Sequence, residues 1–331
     1  MRRLVRALPA AAILLAAARP AAAPTPSPAL LVLSKGDHVL SIVDPATRAV
    51  VAQMPSGPDP HEVEASADGR MAYVTNYGGG GAGALNTITP IDLVAQRTLP
   101  TIDLGAMRGP HGLAFVGGQL WFTAEGADAV GSYDPATRRV ERVLETGQEG
   151  THMVYVSADR SRLVTTNVRA GTLTIADRRA PGEWTQTVVQ AGGGVEGFDV
   201  TPDGREVWAA SARDGTIAIV DLAAKRVVQT LDAHVDGANR LKITPDGRLA
   251  LVSTLRGPDV TVFDVAARRE VKRIPVGRGA AGIVIQPDGA RAYVACTPDD
   301  YVAVIDLKAL AVAGRVVAGR QPDGLAWAVR R

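Results

Sequence analysis

Three of the five histidines in this 331-residue chain share one setting in the sequence. His61, His111 and His152 each stand at the start of a short apolar segment, 50 and 41 residues apart, and Glu196 takes the same place 44 residues later. Imidazole nitrogens together with a carboxylate are good ligands for Zn, Mn, Fe or Cu. If these four side chains meet, they predict a divalent transition-metal site suited to Lewis-acid or metal-hydroxide chemistry.

Other polar residues extend this series, and a second polar series follows the next apolar segment of each repeat. Amide and carboxylate groups orient polar ligands in concave sites. The candidate ligand-binding residues are Asn76, Asn167, Glu196, Asn239 and Asp323. Glu125 is a candidate general base if burial raises its pKa. Arg240 is a candidate clamp for a carboxylate or phosphate, and these two residues are the candidate catalytic pair.

Three interpretations of the histidines stay open. They form a metal site, a metal-free polar site for a small ligand, or a set of scaffold side chains that hydrogen-bond their own repeats. The histidines occupy adjacent repeats and are absent from the others. A uniform structural role would favour every repeat, so this clustering favours a binding site.

The elements that position these residues are seven copies of one unit. A short apolar segment ending in aspartate recurs at spacings of 48, 42, 43, 44, 43 and 42 residues, and the aspartates are Asp44, Asp92, Asp134, Asp177, Asp221, Asp264 and Asp306. Pro-Asp-Gly segments recur at the same spacing as the aspartates. They favour turns, because proline fixes φ and glycine accepts positive φ. Four apolar segments in each unit predict an all-β, seven-bladed β-propeller with four-stranded antiparallel blades.

The two ends of the repeat array are complementary. The last copy contains only a first strand, at 321–327, and the N-terminal segment begins with the second strand of a unit. Joining them closes the ring and pairs strand edges that would otherwise stay open, so residues 30–331 are predicted to form a single propeller. Every first strand then starts at one end of the central channel, beside the histidines.

The first 23 residues have the character of a secretory signal peptide. Arg2, Arg3 and Arg6 precede a short apolar run, which small residues follow. Residues 24–29 form a proline-rich leader. The predicted location is periplasmic or secreted. The apolar run is too short to span a membrane, so no membrane association beyond export is expected.

Removal of this segment changes the charge of the chain. It holds four arginines and no acidic residue, which leaves 32 basic and 34 acidic residues, a net charge of −2. This balance argues against a nucleic-acid partner. The single cysteine excludes an internal disulfide and any CxxC metal or redox site. A monomer is expected.

The Ala-Tyr-Val-Thr-Asn segment at 72–76, the Pro-Asp-Gly turns and the Ile-Val-Asp strand ends resemble the YVTN-repeat propellers, which include the YncE-like periplasmic proteins. The resemblance covers nearly the whole chain after the signal peptide. It implies an exported propeller whose histidine-lined face binds a small molecule or a sugar-derived ligand.

A weaker similarity connects the chain to the seven-bladed lactonases. It rests on the Asn-Tyr-Gly-Gly-Gly segment at 76–80 and on the Pro-His pairs that contain His61 and His111. It implies hydrolysis of a sugar lactone, with those histidines, Glu125 and Arg240 as the residues to suspect. A metal-assisted sugar lyase and a protein-interaction scaffold are further alternatives, and whether the chain is an enzyme stays open.

Overall fold

Short strands with alternating apolar residues build a ring of seven antiparallel sheets around a channel. The structure, a computed structural model, describes residues 23–331. The chain begins with the outer three strands of the last blade, blade 7: β1 (Ala29–Ser34), β2 (Val39–Val43) and β3 (Val50–Pro55). Blade 1 follows with β4 (Pro60–Ala65), β5 (Met71–Asn76), β6 (Thr87–Asp92), β7 (Arg97–Thr98) and β8 (Ile102–Asp103).

Blades 2 to 6 then follow in chain order. Blade 2 contains β9 (Pro110–Val116), β10 (Gln119–Ala124), β11 (Ala129–Asp134) and β12 (Arg139–Glu145). Blade 3 contains β13 (Thr151–Val156), β14 (Arg162–Asn167), β15 (Thr172–Ala180) and β16 (Glu183–Gln190). Blade 4 contains β17 (Val195–Val200), β18 (Glu206–Ser211), β19 (Thr216–Asp221) and β20 (Arg226–Asp232). Blade 5 contains β21 (Ala238–Ile243), β22 (Leu249–Thr254), β23 (Asp259–Asp264) and β24 (Arg269–Pro275). Blade 6 contains β25 (Ala280–Ile285), β26 (Arg291–Cys296), β27 (Tyr301–Asp306) and β28 (Ala311–Val316).

The last strand, β29 (Pro322–Ala328), closes the ring. It pairs antiparallel with β1, with Leu31 opposite Ala326 and Leu30 opposite Trp327, and so completes blade 7. The predicted seven-bladed propeller and its closure are therefore confirmed. Blade 1 departs from the four-strand pattern, because its outer strand is interrupted between β7 and β8. Pro100 lies in that gap and has no N–H to donate to a neighbouring strand.

The apolar core is divided among the blade junctions. Each of seven clusters of buried side chains in residues 23–331 joins two adjacent blades. Leu31 and Val74, for example, belong to the cluster between blades 7 and 1. Burying apolar surface between sheets is the main stabilising contribution to such a ring.

The inner strands of neighbouring blades pack closely at the third position of each strand. A Cβ on Gly112 would lie 2.7 Å from the backbone oxygen of His152 in the next blade. Gly197, Gly282 and Gly324 hold the equivalent positions and also lie against the backbone of the next inner strand. The remaining three positions carry Glu62, Met153 and Arg240, so few side chains enter the channel at this level.

The described part of the leader lies against the ring. Thr25 Oγ1 donates to the backbone oxygen of Leu93, and Gln96 Nε2 donates to the backbone oxygen of Ala23 at 2.7 Å. The predicted signal peptide, residues 1–23, lies outside the described residues except for Ala23, and its boundaries stay a prediction. Within residues 23–331, no helix has the length and apolar character needed to cross a membrane.

Candidate functional site

A cavity of about 430 Å³ lies at the end of the channel where the inner strands begin. We call it the histidine mouth. Its lining comes from all seven blades and from the loops after β1, β5, β22 and β26. The lining residues are Lys35, His61, Tyr77, His111, His152, Glu196, Asn239, Arg240, Leu255, Gly279, Ala281, Thr297, Pro298 and Asp323.

His152 is held between two carboxylates. Its Nδ1 donates to Glu125 Oε2 at 2.9 Å, and its Nε2 lies 3.2 Å from Glu196 Oε1. Burial alone would lower the pKa of His152, but Glu196 and Glu125 raise it to about 9. The same attraction outweighs burial at Glu196 and lowers its pKa to about 2. His152 is therefore a buried imidazolium at neutral pH.

Glu125 is saturated with donors. Besides His152, the hydroxyl of Tyr77 donates to its Oε2 at 2.7 Å, and Arg169 Nη1 donates to its Oε1 at 2.5 Å. Burial would raise the pKa of Glu125, but these donors lower it. Gly80 lies against the same carboxylate, where a Cβ would collide with it. The glycine-rich loop of blade 1 thus covers Glu125.

His111 lies at the centre of a cluster of aromatic rings. Its ring centroid is 3.7 Å from that of His152 and 4.7 Å from that of His61, and Tyr77 meets it edge-on at 4.9 Å. Burial, and then the charge on His152, lower the pKa of His111 well below 6.5. Its Nδ1 is buried and has no hydrogen-bond partner among residues 23–331. His111 is a neutral imidazole with unused hydrogen-bonding capacity.

His61 is also neutral. Lys35 Nζ donates to its Nδ1 at 2.9 Å and lies 3.3 Å from Asp323 Oδ2. Burial, and then the Lys35 ammonium, lower the pKa of His61 to about 3. Burial raises the pKa of Asp323, against the effect of Lys35. The mouth thus contains one charged and two neutral imidazoles.

An ion pair forms the floor of the cavity. Arg240, on β21, pairs with Glu62, on β4, across the channel from it. Asn239 Nδ2 donates to Glu196 Oε1 at 3.2 Å, and Arg240 Nη1 lies 4.0 Å from the same oxygen. Despite full burial, these carboxylates raise the pKa of Arg240. The pair closes the channel beneath the histidines.

The structure brings most of the predicted site residues together. The residues that line or border the mouth are His61, His111, Glu125, His152, Glu196, Asn239, Arg240 and Asp323. Asn76 and Asn167 lie elsewhere, fully buried inside their blades. Asn76 Nδ2 donates to the hydroxyls of Thr87 and Thr89, and Asn167 makes equivalent bonds to threonines of blade 3.

The imidazoles do not converge on one point. Across residues 23–331, no three or more His, Cys, Asp or Glu side chains are grouped so as to hold a metal ion. The rings of His111 and His152 lie in contact at a tilt of 31°, and both nitrogens of His152 face carboxylates. The metal site stays a prediction.

Several residues of the mouth were not identified as site residues from the sequence. Tyr77 follows Asn76 in the loop between β5 and β6, which is longer than the corresponding loops of the other blades, and that extra length was its only signal. Lys35 directly follows β1, and no other blade has a lysine at the corresponding position. Glu62 is 178 residues from its partner Arg240, and no local pattern connects the two.

Comparison with known proteins agrees with the fold. The family described as "Cytochrome D1 heme domain" matches residues 163–282. A functionally unknown protein from Desulfotomaculum acetoxidans is 14% identical over 92% of this chain and 100% of its own, with a TM-score of 0.74. A provisionally assigned 6-phosphogluconolactonase from Bacteroides fragilis is 15% identical over 92% and 98%, with a TM-score of 0.73.

A third solved structure is the dihydro-heme d1 dehydrogenase NirN in complex with DHE. It is 18% identical over 91% of this chain and 66% of its own, with a TM-score of 0.65. No curated protein sequence matches the chain. At such low identities these structures show the fold alone. The segment matched by the heme-domain family includes Glu196, Asn239 and Arg240 but none of the three histidines of the mouth.

Proposed function

We propose that this chain is an exported, YncE-like propeller that binds a small ligand in the histidine mouth. The observation that carries the proposal is the state of His111. Its Nδ1 is buried without a partner, while the charged groups around it are already paired. A buried polar atom without a hydrogen bond costs about 1–3 kcal/mol. Such a group needs an explanation, and a ligand that completes its hydrogen bond supplies one at this position.

The ionisation states favour binding over acid–base catalysis. A general base works best with a pKa near the operating pH. His61 has a pKa of about 3 and His152 of about 9, and three donors lower the pKa of Glu125. The hydrolase and lyase alternatives need one of these groups to exchange protons near pH 7, so their catalytic roles for Glu125 and Arg240 have less support than ligand binding.

The lining suits a hydroxyl-rich, sugar-derived molecule. Neutral imidazoles accept or donate one hydrogen bond each, depending on the tautomer. Lys35 and Asn239 supply further donors, and Leu255 and Pro298 supply apolar surface for the carbon face of a ring. A hydroxyl group can match all of these without adding charge to a mouth whose ionic groups already balance.

A second candidate ligand is a tetrapyrrole, and the heme-domain match favours it. Neutral imidazole is a common axial ligand of haem iron, and His111 or His61 would hold the iron here. A bound haem would supply the redox chemistry of its iron. The segment matched to that family contains none of the three histidines of the mouth, which makes this candidate secondary to a sugar-derived ligand.

Support for export comes from the sequence of residues 1–23. A basic start, a short apolar run and small residues before the leader are the features that signal peptidase substrates share. Fractionation of the host cells, with the full-length chain, tests this part of the proposal. Recovery of a shortened chain in the periplasm or medium supports it, and full-length chain in the cytoplasm contradicts it.

Histidine-selective ¹⁵N NMR tests ligand binding directly. The protein is titrated separately with the dialysable small-molecule fraction of host periplasm, a sugar lactone, ferric haem and ZnCl₂. We expect one of them to shift the His61 and His111 resonances and to lose its effect in His111→Ala. The exposed His234 supplies the matched control, His234→Ala. Unchanged resonances in all four titrations would contradict the proposal.

A further inference from the structure

The channel has a second compartment on the far side of the Arg240–Glu62 ion pair. Two adjoining cavities of about 70 and 280 Å³ open there. Both are lined by Glu64, Leu113, Met153 and Lys242, so they form one space, which we call the distal vestibule. The ion pair separates this space from the histidine mouth.

One wall of the distal vestibule is apolar. Leu113 and Phe115 on β9, and Met153 and Tyr155 on β13, line it with their neighbours along these two strands. Each is partly exposed to the cavity although its character is that of a core residue. A concave surface of this kind is typical of small-ligand pockets.

Two charged side chains also line the vestibule, Glu64 on β4 of blade 1 and Lys242 on β21 of blade 5. Within residues 23–331, no hydrogen bond or ion pair involves the side chain of Glu64 or that of Lys242. Both side chains are half-buried. Burial raises the pKa of Glu64 to about 7; the attraction of Lys242 opposes this rise, and the repulsion of Glu62 adds to it. Partly desolvated charges without partners are costly, and a ligand with the complementary charges would relieve that cost.

We infer that the distal vestibule binds an α-amino acid with an apolar side chain. Its ammonium group pairs with Glu64, its carboxylate pairs with Lys242, and its side chain packs on Leu113, Phe115 and Met153. A single zwitterion thus satisfies both charges and covers the apolar wall. A simple carboxylic acid would leave Glu64 without a partner, and a simple amine would leave Lys242 without one.

Asp199 borders the same space, but its carboxylate already has backbone partners. Its Oδ1 accepts from the N–H of Val200 at 3.0 Å and its Oδ2 from the N–H of Ile243 at 2.9 Å. Each carboxylate oxygen of Asp199 therefore accepts one backbone hydrogen bond, whereas the carboxylate of Glu64 accepts none. Glu64 remains the group that recognises the ammonium.

Isothermal titration calorimetry on the whole chain tests the inference with four defined probes. Leucine is compared with leucinamide, which lacks the carboxylate, with 4-methylpentanoate, which lacks the ammonium, and with glycine, which lacks the side chain. Hydrogen bonds to charged groups, and for glycine the lost apolar burial, contribute enough that we expect each analogue to bind at least about tenfold more weakly than leucine. No binding of leucine, or equal binding of the analogues, would overturn the inference.

Two substitutions localise the site. Glu64→Gln and Lys242→Met should each weaken leucine binding at least about tenfold. The exposed residues Glu183 and Lys272 provide the matched controls, Glu183→Gln and Lys272→Met, which should bind as the unaltered chain does. Thermal unfolding checks that each variant folds. Folded Glu64→Gln and Lys242→Met proteins with unchanged affinity would overturn the inference, and the four-probe comparison decides it if either variant fails to fold.

Discussion

Replacing His152 by glutamine removes a positive charge from between two buried carboxylates. The folded protein raises the pKa of His152 from 6.5 to about 9. Each pKa unit corresponds to about 1.36 kcal/mol, so the charged ring contributes about 3 kcal/mol to the free energy of unfolding. The lowered pKa of Glu196 results from the same attraction between His152 and Glu196. Its energy is therefore not added to the value of about 3 kcal/mol assigned to His152.

The contribution of His152 depends on pH in a defined direction. Because its pKa is raised on folding, its stabilisation is fully present below the unfolded pKa of about 6.5 and is lost as the pH rises through about 9. The loss of stability in His152→Gln should therefore be about 3 kcal/mol at pH 6, roughly half of that near pH 8, and small at pH 10.

Urea unfolding at these three pH values measures the difference between the original chain and the variant. His234→Gln, at a largely exposed histidine, is the control and should be nearly neutral throughout. A stability loss in His152→Gln that stays constant from pH 6 to pH 10 would refute the argument, because a neutral buried ring would then account for it.

Three further predictions concern the ring and its channel. Gly112→Ala should lower the melting temperature, because its Cβ would lie 2.7 Å from the next inner strand and overpacking costs about 1–3 kcal/mol. The control Gly81→Ala places its Cβ in open space and should leave the melting temperature unchanged. Equal melting temperatures for the two variants would contradict close packing at Gly112. Arg240→Met should cost about 3–5 kcal/mol in urea unfolding, since Glu62 stays buried without its partner. Adding Glu62→Leu should recover most of that loss, and no recovery would contradict the pairing. Deleting residues 321–331 removes β29 and should abolish the single cooperative thermal transition, whereas an unchanged transition would contradict ring closure.

The fold could be predicted because every repeat uses the same types of residue at its strand ends and turns. The aspartates at the strand ends bond to nearby backbone, as Asp44 Oδ1 does in accepting from the N–H of Ala46 at 2.8 Å. In the Pro-Asp-Gly turns, Gly204 has a φ of 70°. These requirements recur in phase, so the spacing alone indicated seven blades. The broken outer strand of blade 1 was not foreseen, because its cause is a single proline without a repeat.

The site could be predicted only in part. Strand phase placed His61, His111 and His152 at one end of the channel, since every inner strand starts there. The repeat spacing could not show the direction of a side chain at a strand end. The side chains of Asn76 and Asn167 point into their own blades. Nor could the spacing show the ion pair that closes the channel, because that contact joins opposite blades.

The central claim is that the neutral imidazoles of the histidine mouth hold a small ligand. Native mass spectrometry of untagged protein, isolated from its own host, tests it most directly. We expect the original chain to carry an additional small mass that is absent from a folded His61→Ala/His111→Ala variant and present in His234→Ala. Equal ligand occupancy in all three proteins would contradict the claim. So would an original chain without a ligand whose histidine resonances also fail to shift with any probe.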